Sequence, residues 1–210
     1  VAVAVDDVLG SINHYAYDST ATPVLTYAGS IYPKVTAVSA GNVDAQLYIA
    51  YDAGVKIDTG PLVIDEQPCF LALLTNTTDN VTGNNTAYTI IFNSEILDKG
   101  GNYNNATGVF TAPVGGAYSL GCTVRVSGIT AACTQENMYI VTSNRTYRAK
   151  WDLPTGAQGE DLTRQLSVLA ADMDINDTAS CQIQNTGEGS DVHDILILAT
   201  SNYFSGTLLN

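Results

Sequence analysis

A sharp corner between two β-strand segments constrains the fold of this chain more than any other feature of its sequence. The segment 109–113, VFTAP, favours a strand that ends at Pro113, and Gly115 and Gly116 follow almost at once. Proline has no amide hydrogen to donate to a β-ladder, and glycine reaches backbone conformations that other residues avoid. The apolar and β-branched run 117–126, AYSLGCTVRV, then predicts a longer buried strand. Two strands joined by a tight corner favour antiparallel β-structure.

The rest of the chain repeats this theme of short strands and turns. Apolar or β-branched segments are separated by turn residues every 8 to 12 positions or so, and no segment has the period of a helix of normal length. The segment 75–86 is rich in Asn, Thr, Asp and Gly, so we expect a solvated loop there. The expected fold class is all-β, an antiparallel sandwich.

The sequence divides into two predicted domains, residues 1–66 and residues 67–210. The first alternates between apolar and polar residues with a period of two, and its turn residues at 39–42 and 52–54 favour hairpins. A domain of this size buries little surface on folding, so we expect it to pair with copies of itself or with the second domain. The segment 60–68, GPLVIDEQP, is interpreted as the connection between the two.

Charge and composition exclude several functional classes. The chain has 21 Asp and Glu against 8 Lys and Arg, a net charge of −13, so its average field repels a nucleic-acid backbone. No apolar run approaches the roughly 20 residues that cross a bilayer, so no membrane insertion is predicted. Only 14% of the residues are charged, while Asn, Thr, Ser and Gly are plentiful, a composition typical of extracellular and virion β-proteins.

Catalytic motifs are missing from the sequence. There is no G-x-S-x-G elbow and no H-E-x-x-H helix, and the two histidines, His14 and His193, fall in different predicted domains. Paired acids could still hydrolyse a glycosidic bond, but their number does not place two of them at the required distance in space, and exposed acids on so acidic a chain mostly serve solubility. Those considered are Glu95, Asp98, Glu136, Glu160 and Asp161. The prediction is that the protein is not an enzyme.

No cofactor is predicted, although one cluster would suit calcium. Asp172, Asp174, Asn176 and Asp177 offer oxygen ligands at nearly alternating positions, yet they lack the glycine and the glutamate of an EF-hand loop. A turn before the next strand is the favoured interpretation, and calcium stays open as an alternative.

The four cysteines do not form a zinc motif. Cys69, Cys122, Cys133 and Cys181 are spread along the chain without a C-x-x-C pair or a nearby histidine cluster. Buried free thiols are the favoured interpretation. A disulfide between Cys122 and Cys133 remains an alternative, because the two residues are close enough in sequence.

Two ordered motifs resemble a known family. The residues Tyr103-Asn104, Thr107-Gly108, Phe110 to Pro113, Gly116 and Tyr118 resemble the central signature of C1q/TNF-like jelly-roll domains, and 203–209, YFSGTLL, resembles the closing strand of that family. The resemblance covers about two thirds of the chain. It implies a jelly-roll sandwich that assembles as a homotrimer, with Tyr103, Phe110, Tyr118 and Phe204 in the core or toward the trimer axis. The chain departs from the family at Ser119-Leu120 and has no Gly-X-Y stalk before the domain.

The spacing of small and apolar residues in the first domain, from Val8 to Gly54, resembles a β-rich module of bacteriophage tail fibres and related virion proteins. With the second domain, this resemblance predicts a non-enzymatic, trimeric tip of a viral fibre, from a tailed phage, at the virion surface. The predicted partners are a host cell-surface glycan or protein and other virion proteins. The alternatives are a secreted C1q-like recognition or adhesion protein of cellular origin, and a purely structural virion decoration or trimerisation module.

Pro and Gly in the segment 153–161, LPTGAQGED, predict a loop, and the candidate ligand-binding residues lie near it with one exception. Tyr147 and Trp151 stand among the polar residues Arg148, Lys150 and Asp152, a setting that suits stacking against a sugar. For Trp151, packing at the end of a strand is the favoured interpretation, and stacking against a sugar is the alternative. The predicted ligand-binding set is Tyr147, Trp151, Asp152 and His193.

Overall fold

The computed structural model describes residues 12–17, 25–39, 42–51, 67–153, 161–197 and 201–209. The chain divides into two compact units, Val1–Val63 and Ile64–Asn210. All regular structure in the described residues is β-strand, and none of these residues forms a helix that could span a membrane. The predicted alternation at 1–5, the turn at 52–54 and most of the 153–161 loop lie outside the described residues.

In the first unit, a three-stranded antiparallel sheet is described in the order β1–β2–β3. Its strands are β1 (Ile12–Tyr17), β2 (Leu25–Ser39) and β3 (Asn42–Tyr51). The pairing of β2 with β3 closes at Ser39 opposite Asn42, where the turn residues predict a hairpin.

The second unit is a sandwich of two antiparallel sheets. Seven strands form one sheet in the order β5–β15–β10–β16–β4–β7, with β13 on the other edge of β10. They are β4 (Cys69–Leu73), β5 (Thr78–Thr82), β7 (Ser94–Lys99), β10 (Gly116–Ser127), β13 (Leu162–Met173), β15 (His193–Ile195) and β16 (Tyr203–Leu208).

The facing sheet has six strands in the order β12–β11–β14–β9–β8, and β6 pairs with β14. These strands are β6 (Ala87–Thr89), β8 (Tyr103–Asn104), β9 (Val109–Thr111), β11 (Gln135–Thr142), β12 (Thr146–Asp152) and β14 (Thr178–Thr186).

An aromatic cluster fills the space between the sheets. The Phe70 ring stacks on Phe110 at 4.6 Å and on Tyr103 at 5.1 Å between centroids, and Phe204 meets it edge-on at 5.0 Å. Tyr118 packs against Phe110 at 5.6 Å. Tyr103, Phe110, Tyr118 and Phe204 are all buried within this single chain. Aromatic pairs of this kind stabilise the core beyond the effect of their buried area.

The corner lies where the sequence predicts it, but its glycines do not adopt the backbone conformations that other residues avoid. Neither Gly115 nor Gly116 adopts a positive φ. The corner is instead held by hydrogen bonds, since Tyr118 Oη donates to the Val114 carbonyl at 2.8 Å and the Ala112 amide donates to the Asp177 carbonyl at 2.7 Å. β10 then begins at Gly116.

The predicted state of the cysteines is wrong for two of the four residues. Cys122 on β10 and Cys181 on β14 form a disulfide with Cα atoms 6.5 Å apart, and both are fully buried. The bridge joins the two sheets through the core. Cys69 and Cys133 are free thiols, so the alternative bridge from Cys122 to Cys133 is also wrong. The sequence could not indicate this pairing because it depends on which strands face each other.

The solvated loop predicted at 75–86 contains a strand, β5. It pairs with β15, with Thr82 opposite His193 and Thr78 opposite Ile195. Only Thr82 in this strand is buried. Backbone pairing at the sheet edge, rather than an apolar face, therefore makes this polar segment a strand.

A close approach in β16 gives a stability prediction. A Cβ atom at Gly206 would lie 2.5 Å from Phe70 Cε1 and 2.8 Å from Leu120 Cδ2, whereas one at Gly121 on β10 would meet nothing closer than 3.6 Å. We therefore expect Gly206→Ala to lower the free energy of unfolding by about 1–3 kcal/mol, because the ring must shift in a packed core. Urea unfolding of this variant beside Gly121→Ala, the matched control, measures the difference. Equal unfolding midpoints for the two variants would show that the core accommodates the added methyl group without loss of stability.

Candidate assembly and recognition surfaces

The outer side of the seven-stranded sheet carries no charged side chain across the centre of β4, β16, β10 and β13. We call this surface the uncharged face. Its side chains form three rows, namely Leu73–Tyr203–Thr123–Gln165, Leu71–Ser205–Gly121–Ser167 and Cys69–Thr207–Ser119. Leu169 lies beside the last row, where the register between β10 and β13 shifts. An exposed surface without charge is unusual for a chain with a net charge of −13.

Large apolar side chains lie on this face beside small ones. Leu71, Leu73 and Tyr203 line an apolar depression together with Ile96 from β7. A neighbouring groove runs over Gly121 and its serine neighbours and ends at Leu169, whose side chain is 78% exposed. A depression lined by apolar groups next to a protruding leucine has the shape of a contact surface.

The outer side of the six-stranded sheet has the opposite chemistry, and we call it the amide face. Its side chains form three rows across β12, β11 and β14, namely Arg148–Tyr139–Gln182, Lys150–Asn137–Gln184 and Asp152–Gln135–Thr186. Neighbouring side chains are hydrogen-bonded to one another. Tyr139 Oη donates to Gln184 Oε1 at 2.8 Å, and Asn137 Nδ2 donates to Gln135 Oε1 at 3.0 Å.

Arg148 differs from the other arginines of the described residues in what it contacts. Its Nε donates to Asn137 Oδ1 at 2.9 Å and its Nη2 to Gln135 Oε1 at 3.4 Å, both neutral amide oxygens. The others are each paired with a carboxylate, as Arg125–Asp161, Arg145–Asp172 and Arg164–Glu136. On the amide face, the one carboxylate is that of Asp152. Lys150 Nζ lies 2.8 Å from its Oδ1, and this hydrogen bond lowers the pKa of Asp152.

The four predicted ligand-binding residues are not brought together. Tyr147 and Trp151 point from β12 toward the interior and pack against the core, and the Arg164 guanidinium lies 4.9 Å from the centroid of the Trp151 ring. Asp152 is exposed on the amide face, and His193 is fully buried elsewhere. Alternation along β12 explains the split, since successive side chains point to opposite faces. The same alternation, read from the sequence, indicates that Arg148, Lys150 and Asp152 lie together on the other face of β12.

His193 belongs to a buried polar cluster that joins the two sheets. Arg164 Nε donates to Glu136 Oε2 at 2.7 Å, and Asn185 Nδ2 lies 3.3 Å from Glu136 Oε1. The same Asn185 nitrogen lies 2.9 Å from His193 Nδ1, and His193 Nε2 lies 3.3 Å from Glu188 Oε1. Glu136, Asn185 and His193 are fully buried, and Arg164 nearly so.

The orientation of the Asn185 amide implies one arrangement of hydrogen bonds in this cluster. With Nδ2 of Asn185 facing both Glu136 and His193, Nδ1 of His193 accepts and Nε2 donates to Glu188. Burial alone would raise the pKa of Glu188, but hydrogen bonds from Thr130 and His193 lower it. The cluster is enclosed between the sheets, so its hydrogen bonds connect the two sheets and its side chains are not accessible to a ligand from solution.

The acids considered for calcium are used in a turn. Asp177 Oδ2 accepts from the Asp174 amide at 2.7 Å and from Asn144 Nδ2 at 2.7 Å, and Asn176 adopts φ +70°. Arg145 Nε donates to Asp172 at 2.9 Å, which lowers the pKa of that carboxyl. Among the described residues, no three His, Cys, Asp or Glu side chains are grouped to hold a metal ion.

The sequence profile of the C1q domain matches residues 70–171, just under half of the chain. Solved structures similar to it include crystal structures of murine APRIL at pH 5.0 and at pH 8.0, each with a TM-score of 0.48 and with 10% and 9% identity, covering 68% of this chain and 99% of that chain. No curated protein sequence matches the chain. The second unit thus has an all-β, C1q/TNF-like jelly-roll fold, as the two motifs predict. The resemblance of the first domain to a tail-fibre module stays a prediction.

Proposed function

We propose that this chain is a non-enzymatic recognition or adhesion protein that works as a homotrimer. The observation that supports this most strongly is the uncharged face. Across the centre of four neighbouring strands the outward positions carry no charge although the chain is strongly acidic, and they include Leu71, Leu73 and the exposed Leu169. Burying such a face between copies of the chain removes apolar surface from water.

Three copies, rather than two, are proposed from the likeness to the C1q domain, whose members assemble around a three-fold axis. The edge of one sandwich would pack on the uncharged face of the next, with the side chains near Leu169 toward the axis. The cyclic arrangement is closed, so no apolar surface is left to start a filament. The amide face, on the opposite sheet, would then remain outside.

Three copies of one weak site on a rigid body bind a repetitive surface by avidity, without a strong single contact. The finer proposal is a fibre tip on a virion surface, from a tailed phage, that attaches to a glycan or protein on the host cell. A secreted recognition protein of cellular origin fits the same fold equally well. Genes for baseplate or capsid proteins beside the coding sequence would support the virion setting, and a genomic context without them would count against it.

The oligomeric state tests the proposal. We expect Leu169→Asp to convert a trimer into monomers that stay folded, because the new charge enters the proposed contact but no intrachain core. Light scattering after size-exclusion chromatography measures the mass, and the far-UV circular dichroism spectrum reports the fold.

The matched control is Ile175→Asp, a large apolar residue 63% exposed on the turn between β13 and β14 and away from the uncharged face. This variant should remain trimeric. A wild-type chain that is a stable monomer at micromolar concentration would refute the proposal.

A further inference from the structure

We infer that the amide face is a binding site for a glycan that carries carboxylate groups. This inference rests on the proposed recognition function and names the chemistry of its ligand. It starts from the side chains that the sheet register places together, Arg148, Tyr139 and Gln182 in one row and Lys150, Asn137 and Gln184 in the next.

The hydrogen bonds of the amide face hold its polar groups in place before any ligand arrives. Arg148 is held by Asn137 and Gln135, and Gln184 both accepts from Tyr139 Oη and donates to the Asn85 carbonyl at 3.0 Å. Side chains that are already ordered lose less conformational entropy on binding. A site of this kind can recognise a ligand with modest contact area.

Arg148 carries the charge selectivity. A guanidinium has five N–H donors, and the contacts with Asn137 and Gln135 use two of them. The remaining donors match the two oxygens of a carboxylate, and no carboxylate among the described residues is bonded to Arg148. With Lys150 and only Asp152 opposing them, this face is locally positive on a chain of net charge −13. At physiological salt the more distant acidic groups are largely screened, so the nearby Arg148 and Lys150 act most strongly on a bound ligand.

The absence of apolar side chains separates a glycan from a protein as the occupant. None of the large hydrophobic residues exposed in the described part of the chain lies on the amide face. Protein interfaces have an apolar centre with aromatic or aliphatic anchors, and the amide face has only the half-buried Tyr139. Sugars need a ring to stack on and planar amides for their hydroxyl groups, which Tyr139, Gln182 and Gln184 supply.

The test uses oligogalacturonate and its methyl ester, two probes with the same sugar chain whose carboxyl groups are charged in the first and neutral esters in the second. Amide chemical shifts of the isotope-labelled trimer, recorded by NMR at physiological salt, report binding and its location. We expect oligogalacturonate to shift residues of β11, β12 and β14, and the methyl ester to bind at least about tenfold more weakly.

Variants assign the effect to Arg148. Arg148→Gln keeps an amide beside Asn137 but removes the charge, and it should weaken binding of oligogalacturonate about tenfold or more. The control is Arg145→Gln, which makes the same change of charge on the same hairpin, where Arg145 is paired with Asp172. That variant should bind like the wild type.

The inference would be overturned by no shifts with oligogalacturonate at millimolar concentration, by equal binding of the methyl ester, or by equal loss of binding in both arginine variants. Each can occur with an intact trimer. Failure of this inference is therefore distinguishable from failure of the proposed function, which the mass of the particle decides. Shifts confined to the uncharged face would also count against the amide face as the site.

Discussion

A double variant with Cys122→Ala and Cys181→Ala is expected to lose about 2–5 kcal/mol of unfolding free energy, the usual effect of removing a native disulfide from a small domain. The bridge closes a loop with a sequence separation of 59. Loop-closure entropy over that length corresponds to about 4 kcal/mol in the unfolded chain. The bridge also joins the two sheets within the core, so its removal leaves neighbouring side chains less well packed.

Guanidinium unfolding monitored by the fluorescence of Trp151, the only tryptophan of the chain, measures this loss. Reductant should lower the unfolding midpoint of the wild type and leave that of the double variant unchanged. Cys133→Ala is the matched control, since it removes a buried cysteine that forms no bridge. A double variant as stable as this control would show that the bridge contributes nothing.

The second large effect is expected at the buried ion pair between Arg164 and Glu136. Arg164→Met removes the cation and leaves the Glu136 carboxylate fully buried, with only the weak hydrogen bond from Asn185. Breaking a buried pair from one side costs about 3–5 kcal/mol because the remaining charge is uncompensated. The arginine also covers the Trp151 ring, so we expect the emission spectrum of Trp151 to change in the folded state.

The test of this explanation is a second change in the same background. Arg164→Met combined with Glu136→Gln removes both charges and should recover most of the lost stability, since a neutral amide is less costly to bury than a lone carboxylate. Arg125→Met is the control, because its partner Asp161 is exposed to solvent. It should cost no more than about 1 kcal/mol. If the combined variant were no more stable than Arg164→Met alone, packing rather than charge would explain the loss.

The general fold could be predicted because its signals are local. Alternation between apolar and polar residues predicts strands, and the run from Tyr103 to Tyr118 predicts the central corner of a C1q/TNF-like domain. The sequence wrongly predicts a loop at β5 because this strand lacks such a pattern. β5 is mostly polar and only three of its five residues are even partly buried, so its pairing with β15 is a property of the sheet edge rather than of its own composition.

The candidate site was harder to predict because it depends on which face each side chain occupies. The polar neighbours of Trp151 and Tyr147 in the sequence suit the binding of a sugar. Both side chains, however, point inward from β12 and pack on the core. Arg148 and Lys150 have the outward parity, and their partners on the amide face come from β11 and β14. His193 is 41 residues from Asp152 in sequence, and nothing local indicates that it is buried beside Asn185.

The sequence by itself determined the class of the fold, the place of the central corner, the acidic surface and the lack of a catalytic motif, because each depends on neighbouring residues or on composition. Only the tertiary structure decided that Cys122 meets Cys181, that Arg164 neutralises Glu136, and that charged and uncharged side chains are sorted onto opposite outer faces. These features depend on the register and stacking of strands far apart in the chain. No single segment of the sequence indicates which distant strand it will pair with or pack against, so these contacts are defined only when the two sheets are packed together.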